Sequence, residues 1–196
     1  MPTFDYPKRQ IHDAQIPVIQ ELVDKIDARK IVEVGCWVGE STSYWAKAVR
    51  GKENARVYAV DWFRGNPNTA LDEVAHDDDI YSIFKNNMQE VGVADLIHVF
   101  YMKSLDAADL VRDKSIDIVY IDACHDYFSV RDDIKAWLPK VRDGGIICGH
   151  DCEDRTWDDE YINQDVFEGK HHGVIKAVNK CFKDFNITER IWWVQL

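Results

Sequence analysis

Ile31-Val-Glu-Val-Gly-Cys-Trp-Val-Gly-Glu-Ser-Thr-Ser43 is an apolar run that gives way to an acid, two glycines and a helix start. It reads as a buried parallel strand from Lys30 to Val34, a tight turn at Gly35 and Gly39, and a helix capped near Ser41. Glycine lets a ligand approach the main chain, and the helix N-terminus beyond it presents unpaired N–H groups. A strand, a glycine turn and a helix in this order suit a nucleoside cofactor.

Working outward, helix and strand signals alternate. Ile16, Val18, Ile19, Leu22, Val23 and Ile26 recur at helical spacing, with Pro17 in the first turn. Further strands are expected at Arg56 to Val60, Leu96 to Phe100, Ile116 to Ile121, Gly144 to Gly149 and Arg190 to Leu196. Helices are expected around Ile80 to Val91, Ser104 to Val111, Val130 to Leu138 and Val174 to Phe182, the third stopping at Pro139. Asp77, Asp78 and Asp79 suit the positive end of the second and need no functional explanation. Repeated β-α-β units predict an α/β, doubly wound, mostly parallel sheet with helices on both faces and a ligand site beyond the carboxyl ends of the strands.

With 196 residues, 46% hydrophobic and 12% aromatic, the chain suits a single well-buried domain spanning 1–196. A net charge of -11 disfavours nucleic acid, so a small molecule is the expected partner. No apolar run approaches a membrane span, and the five cysteines show no paired C-x-x-C spacing, which predicts reduced thiols and a cytoplasmic protein. A homo-oligomer stays open on this reading.

The spacing narrows the cofactor. A dinucleotide fingerprint would place a glycine where Trp37 stands, and an indole there leaves no room for a pyrophosphate. A carboxylate at Glu33, two residues before Gly35, suits a cationic ligand. Asp61 at the end of the second strand can accept from both ribose hydroxyls, and Trp62 can cover an adenine. Ser104 is either a helix N-cap or an adenine-edge contact, and both can hold. Glu33-Val-Gly-Cys-Trp-Val-Gly39 resembles the first motif of class I S-adenosylmethionine (SAM) methyltransferases. That resemblance implies a Rossmann-like class I methyltransferase fold, with Glu33, Gly35, Gly39, Ser41, Asp61, Trp62 and Ser104 toward SAM.

A second informative stretch is Ile118-Val-Tyr-Ile-Asp-Ala-Cys-His-Asp-Tyr127, followed later by Gly144-Gly-Ile-Ile-Cys-Gly-His-Asp151. If the fourth and fifth strands are neighbours, Asp122 and Asp151 converge, which is repulsive unless a cation or a proton lies between them. His125, three residues after Asp122, is placed to take a proton. These residues, with Trp137-Leu-Pro139, Gly173-Val-Ile-Lys-Ala-Val178 and Trp192-Trp193-Val194, resemble the methyltransferase-24 family. They are also similar to macrocin-type O-methyltransferases and cephalosporin-hydroxylase-like enzymes. The resemblance implies Asp122 and His125 as catalytic residues and a divalent metal, Mg or Mn, at Asp122, His150 and Asp151. His150 stands where those relatives have an acid. Consecutive extended residues point to opposite faces, which would turn His150 away. The alternative is that Asp151 only caps its loop and no metal binds.

Two flanking segments look like walls of the site. An N-terminal helical extension covers 8–28, and Cys152 to His172 forms a polar loop long enough to act as a lid, its aromatics either facing a sugar or anchoring the loop. Arg64 to His76 is a second candidate cover, and His171 and His172 are expected to be solvated. The function this predicts is SAM-dependent O-methylation of a small hydroxylated acceptor. The alternatives are an NAD(P)-dependent dehydrogenase and a non-catalytic SAM-binding module.

Overall fold

The structure is a computed structural model that describes residues 1–6, 11–66 and 69–196, so positions 8–10 of the N-terminal extension and 67–68 of the Arg64 to His76 segment lie outside the described residues. Seven strands form one sheet: β1 (Lys30–Val34), β2 (Arg56–Asp61), β3 (Ile97–Tyr101), β4 (Ile116–Ile121), β5 (Val141–Gly149), β6 (Asn186–Thr188) and β7 (Ile191–Gln195). Their order is β3-β2-β1-β4-β5-β7-β6. The first five run parallel, and β7 is antiparallel to both β5 and β6.

Helices α1 (Ile16–Lys25), α2 (Glu40–Val49), α3 (Ala70–Asp77), α4 (Ile80–Val91), α5 (Ser104–Leu110), α6 (Tyr127–Trp137) and α7 (His172–Cys181) cover the sheet. Val18, Ile19 and Leu22 of α1, Trp45 of α2, and Phe84 and Met88 of α4 build one core. Ala107 of α5, Val130, Ile134 and Trp137 of α6, and Ile175 and Val178 of α7 build the other. The pleat of β1 divides its residues between them: Ile31 packs into the first core, Val32 and Val34 into the second. This is the doubly wound α/β arrangement that the alternating apolar runs predict. The chain reverses its winding at β1 and β4, where Asp122 N–H donates to the Val34 carbonyl at 2.8 Å. A cleft opens at that switch point.

Two elements escaped the sequence reading. Strand β6 has three residues, too few to display a period, and exists because β7 pairs with it. Helix α3 begins behind Thr69, whose hydroxyl accepts from Leu71 N–H at 3.2 Å. Of the three consecutive aspartates, Asp79 caps α4, accepting from Ser82 N–H at 3.0 Å, while Asp77 closes α3 and Asp78 accepts from the Tyr6 hydroxyl.

Candidate active site

A cavity of about 910 Å³ lies over the carboxyl ends of β1, β2, β4 and β5. One half is the turn after β1. Gly35 and Gly39 both hold left-handed backbone, with φ of 85° and 87°. A Cβ on Gly35 would strike the Asp122 carbonyl, and one on Gly39 would lie 2.5 Å from Met88 Cε and 2.8 Å from Phe84 Cδ2. Both glycines border the cavity, but what demands them is the backbone and the packing beneath. Gly39 is also the N-cap of α2, two residues before the cap expected near Ser41. Trp37 is buried, lines the cavity and donates its indole N–H to the Tyr6 carbonyl at 2.5 Å.

Asp61 borders the cavity as well, and its carboxylate already accepts three main-chain N–H groups. These are Cys36 and Trp37 at 2.8 Å each on Oδ2, and Phe63 at 2.6 Å on Oδ1. It latches the glycine turn to the end of β2, leaving the remaining lone pairs for hydroxyl groups in the cavity. Trp62 lines the same wall, with Lys103 Nζ 5.2 Å from its ring. Ser104 lines it too, but caps nothing: the cap of α5 is Lys103, and Ser104 Oγ donates to Asp133 Oδ1 at 2.5 Å and accepts from Trp137 Nε1 at 2.9 Å.

Glu33 corrects the sequence reading. It is fully buried under α2 and does not border the cavity, because the pleat that turns Val32 and Val34 to one side turns Glu33 to the other. Thr42 Oγ1 donates to its Oε2, while Oε1 has no hydrogen-bond partner. Burial pushes this carboxyl up to about 8, against the pull of the Ser41 and Thr42 hydroxyls. A carboxyl whose burial favours its neutral form, and which is out of contact with the cavity, is a poor counter-charge for a cationic ligand.

The other half of the cavity is a cluster of acids and histidines. Asp122 follows β4 and His150-Asp151 follows β5, and pairing of Ile121 with Gly149 brings the two ends together. Only glycine fits at 149, where a Cβ would strike the Ile121 carbonyl and lie 2.7 Å from Trp192 Nε1. His125 Nε2 lies 3.2 Å from Asp151 Oδ2 and 3.7 Å from Asp122 Oδ1, and its Nδ1 lies 2.7 Å from Asp165 Oδ1. Burial opposes the charged imidazole, but carboxylates at both nitrogens carry its pKa up to about 10. The two strand-end carboxylates thus favour the charged form of the His125 imidazole that lies between them. Burial alone would raise Asp151; His150, His125 and His171 hold it far below the usual carboxylate range.

Asp151 takes left-handed backbone, φ 57°, which ends the extended run after β5. That one dihedral overturns the expectation that His150 and Asp151 point to opposite faces. His150 Nδ1 is 3.2 Å from Asp151 Oδ1 and 3.9 Å from Asp122 Oδ1. Asp122, His150 and Asp151 form one group whose ligating atoms lie within 4.8 Å of one another, and His125, Asp151 and His171 form a second. Carboxylates from two adjacent strand ends, with imidazole nitrogen beside them, fit a divalent ion such as Mg²⁺ or Mn²⁺.

Five residues of the cluster were not singled out from sequence. His171, expected to be solvated, is 9% exposed, with Nδ1 2.8 Å from Glu153 Oε1 and its ring centroid 4.7 Å from that of His125. His172 is buried too, accepting from Asp158 N–H at 2.9 Å. Arg190 donates to Asp151 Oδ1 and to Glu153 Oε1. Asp165 reaches His125 from the long loop, and Gln15 reaches His150 from the N-terminal segment. The signal for His171 was its place at the end of a loop leaving a strand's carboxyl end; Arg190 was hidden in the final strand. The loop borders the cavity through Asp165, Val166, Gly169 and His171. Its aromatics face each other: Tyr161 stacks on Phe167 at 3.7 Å and 10°.

A glycine turn and an acid cluster sharing one cavity at the switch point of a 3-2-1-4-5-7-6 sheet invite comparison with known proteins. A family model described as a methyltransferase domain, methyltransferase-24, matches residues 32–152, more than half of the chain. The chain belongs to that family. The sheet shares its fold with the O-methyltransferase TomG of Streptomyces achromogenes, solved with SAM, at TM-score 0.68 and 15% identity over 98% of this chain and 84% of that one. It shares it also with an O-methyltransferase of Bacillus cereus in complex with SAH, at TM-score 0.64 and 18% identity over 95% and 83% of the two chains. In sequence it is similar to the uncharacterised protein y4gI of Sinorhizobium fredii, 29% identical over 136 residues. That match takes in 68% of this chain, which spans only 14% of the relative's length. Among the described residues of this methyltransferase-24 member, no helix is long and apolar enough to cross a membrane.

Proposed function

We propose that this methyltransferase-24 member transfers a methyl group from SAM to a hydroxyl of a small acceptor, assisted by a divalent cation. The observation that carries this reading is the sharing of one cavity by the Gly35 to Gly39 turn and the Asp122, His125 and Asp151 cluster. TomG, solved with SAM, and the Bacillus cereus enzyme, solved in complex with SAH, support the choice of cofactor.

Bound there, SAM would supply an electrophilic methyl on its sulfonium. Asp61 would hold the ribose, having fixed the glycine turn, and Trp62 and Ser104 would border the adenine, while Gly35, Gly39 and Ser41 would face the remainder. Glu33 would act only from below, through the hydroxyls of α2. Asp122 and Asp151 would hold the cation, whose chemistry is to polarise the acceptor hydroxyl and lower its pKa. His125 would receive the acceptor's proton. As a shared cation between Asp165 and the Asp122–Asp151 pair it already carries one on each nitrogen, and it must give one up first. Any further positive charge at those carboxylates brings its pKa down and readies it. Orientation of the acceptor oxygen in line with the methyl supplies most of the rate gain.

The acids around the cavity favour a neutral or cationic acceptor, such as a sugar or other polyol, over an anionic one. The loop of 152–172 would close the acceptor side. Five free thiols, three of them buried, suit a reducing cytoplasm. Titration calorimetry with SAM and SAH against NAD tests the reading. Binding of the first two is expected, with chelator leaving that affinity intact but abolishing methyl transfer until Mg²⁺ or Mn²⁺ is restored. NAD binding without SAM binding overturns it, and full turnover in excess chelator removes the cation.

A further inference from the structure

Gln15 is polar, 1% exposed, and stands just before α1. Two main-chain groups fix which way its amide points: Oε1 accepts from His12 N–H at 2.8 Å, and Nε2 donates to the Glu189 carbonyl at 2.9 Å. Turning the amide over would set oxygen against oxygen at Glu189 and N–H against N–H at His12. The amide nitrogen therefore faces His150 as a donor, with Nε2 of the ring 2.5 Å away. A ring nitrogen that meets a donor must present a lone pair, so the ring's proton belongs on Nδ1. That Nδ1 is the atom turned toward Asp151 and Asp122.

From this geometry we infer that Gln15 holds His150 as the neutral Nδ1–H tautomer, making His150 a hydrogen-bond donor to the metal-holding carboxylates and not a ligand. Both ring nitrogens are then committed, one to Gln15 and one to Asp151. The histidine that replaces an acid fixes the rotamer of Asp151 and leaves cation binding to oxygen donors, which favour Mg²⁺ or Mn²⁺ over softer ions. Gln15 is thus a positioning residue that sets the site's choice of ion from the opposite end of the chain.

The inference concerning the ion rests on the divalent cation proposed above, but the tautomer does not. A long-range ¹H–¹⁵N correlation spectrum of the wild-type protein, free of cofactor, acceptor and metal, reads which ring nitrogen is protonated, with His150 assigned by its absence in His150→Gln. A bare Nε2 with a protonated Nδ1 is expected. A protonated Nε2, in either the other neutral tautomer or the imidazolium, overturns the inference. Gln15→Glu replaces the donor by an acceptor and, with Asp151 and Asp122 at the other nitrogen, should leave His150 as the imidazolium, protonated on Nε2 as well. Calorimetry should then show Mg²⁺ affinity falling about 10- to 100-fold, the usual reach of a group acting behind a metal ligand, because a cation stands beside Asp151. Unchanged Mg²⁺ affinity in a variant whose spectrum shows a protonated Nε2 overturns the role of Gln15 at the cation site. Should Gln15→Glu fail to fold, the wild-type spectrum still decides the tautomer. Absence of SAM binding would remove the methyltransferase reading and leave that spectrum standing.

Discussion

Two ionisable side chains, Glu33 and His125, have environments that reverse what their sequence positions suggest. Glu33 sits in the first motif, yet the alternation of β1 carries it into the core, where it keeps a proton. Its pKa rises from 4.5 in the unfolded chain to about 8 in the fold. The folded state thus binds the extra proton between those values, so stability is greatest below pH 4.5 for this group and declines as pH rises through 8. Glu33→Gln, neutral at every pH, should match wild type at pH 5 and exceed it at pH 9 by a few kcal/mol, read from urea midpoints at the two pH values. Equal stability differences at both would mean that Glu33 ionises freely. His125→Ala should leave SAM affinity intact and lower turnover about 10²- to 10⁴-fold. At this scale the residue types and their places at strand ends were legible, since strand-end polarity is a local property. The tautomer, the proton on Glu33 and the turn of Asp151 were not, because each depends on groups remote in the chain.

Elements carry the next set of consequences. The glycine turn was expected to need its glycines for a ligand; instead Gly39 needs its left-handed φ and the space taken by α4. Gly39→Val should therefore cost stability as well as binding. Left-handed backbone costs about 1–2 kcal/mol for a side-chain-bearing residue, and overpacking about 1–3 more. Gly39→Ala combined with Met88→Ala should relieve only the Met88 part of the overpacking, since Phe84 stays in place, and urea denaturation should show the pair costing less than the sum of the two single variants. The loop of 152–172, expected as a lid whose aromatics either face a sugar or anchor it, is tied to the core through its main chain. Ile162 donates no side-chain bond, but its carbonyl accepts from Tyr127 N–H at 2.9 Å at the start of α6, and Ile162 is itself buried. Replacing 158–164 by a flexible linker should lower Tm by several degrees, at about 2–4 °C per kcal/mol for a chain of this size. An unchanged Tm would restore the picture of a detached flap. The strands and long helices were legible from apolar period, whereas β6 and α3 were too short to show one.

Across the whole molecule, distant parts of the chain converge on the two residues that join β6 to β7. Glu189 offers its carbonyl to Gln15, and Arg190 offers its carbonyl to Cys152 N–H at 3.1 Å and its guanidinium to Asp151 and Glu153. Both have left-handed backbone, φ 50° and 68°, as a two-residue hairpin loop with a primed turn requires. Such turns favour Asn-Gly, and neither Glu nor Arg relieves that strain. The sequence stretch shows only a strand start, since the reason for Arg190 lies 39 residues earlier at Asp151. The two positions should therefore respond differently to the same remedy. Glu189→Asn keeps the carbonyl and should raise thermal stability by about 0.5–1 kcal/mol with activity unchanged. Arg190→Gly relieves its own strain but strips one buried and one half-buried carboxylate, Asp151 and Glu153, of their partner, and should lower both stability and turnover. A selection for heat resistance alone would then repair the first residue of this hairpin and leave the second untouched, marking where the molecule has traded robustness for chemistry.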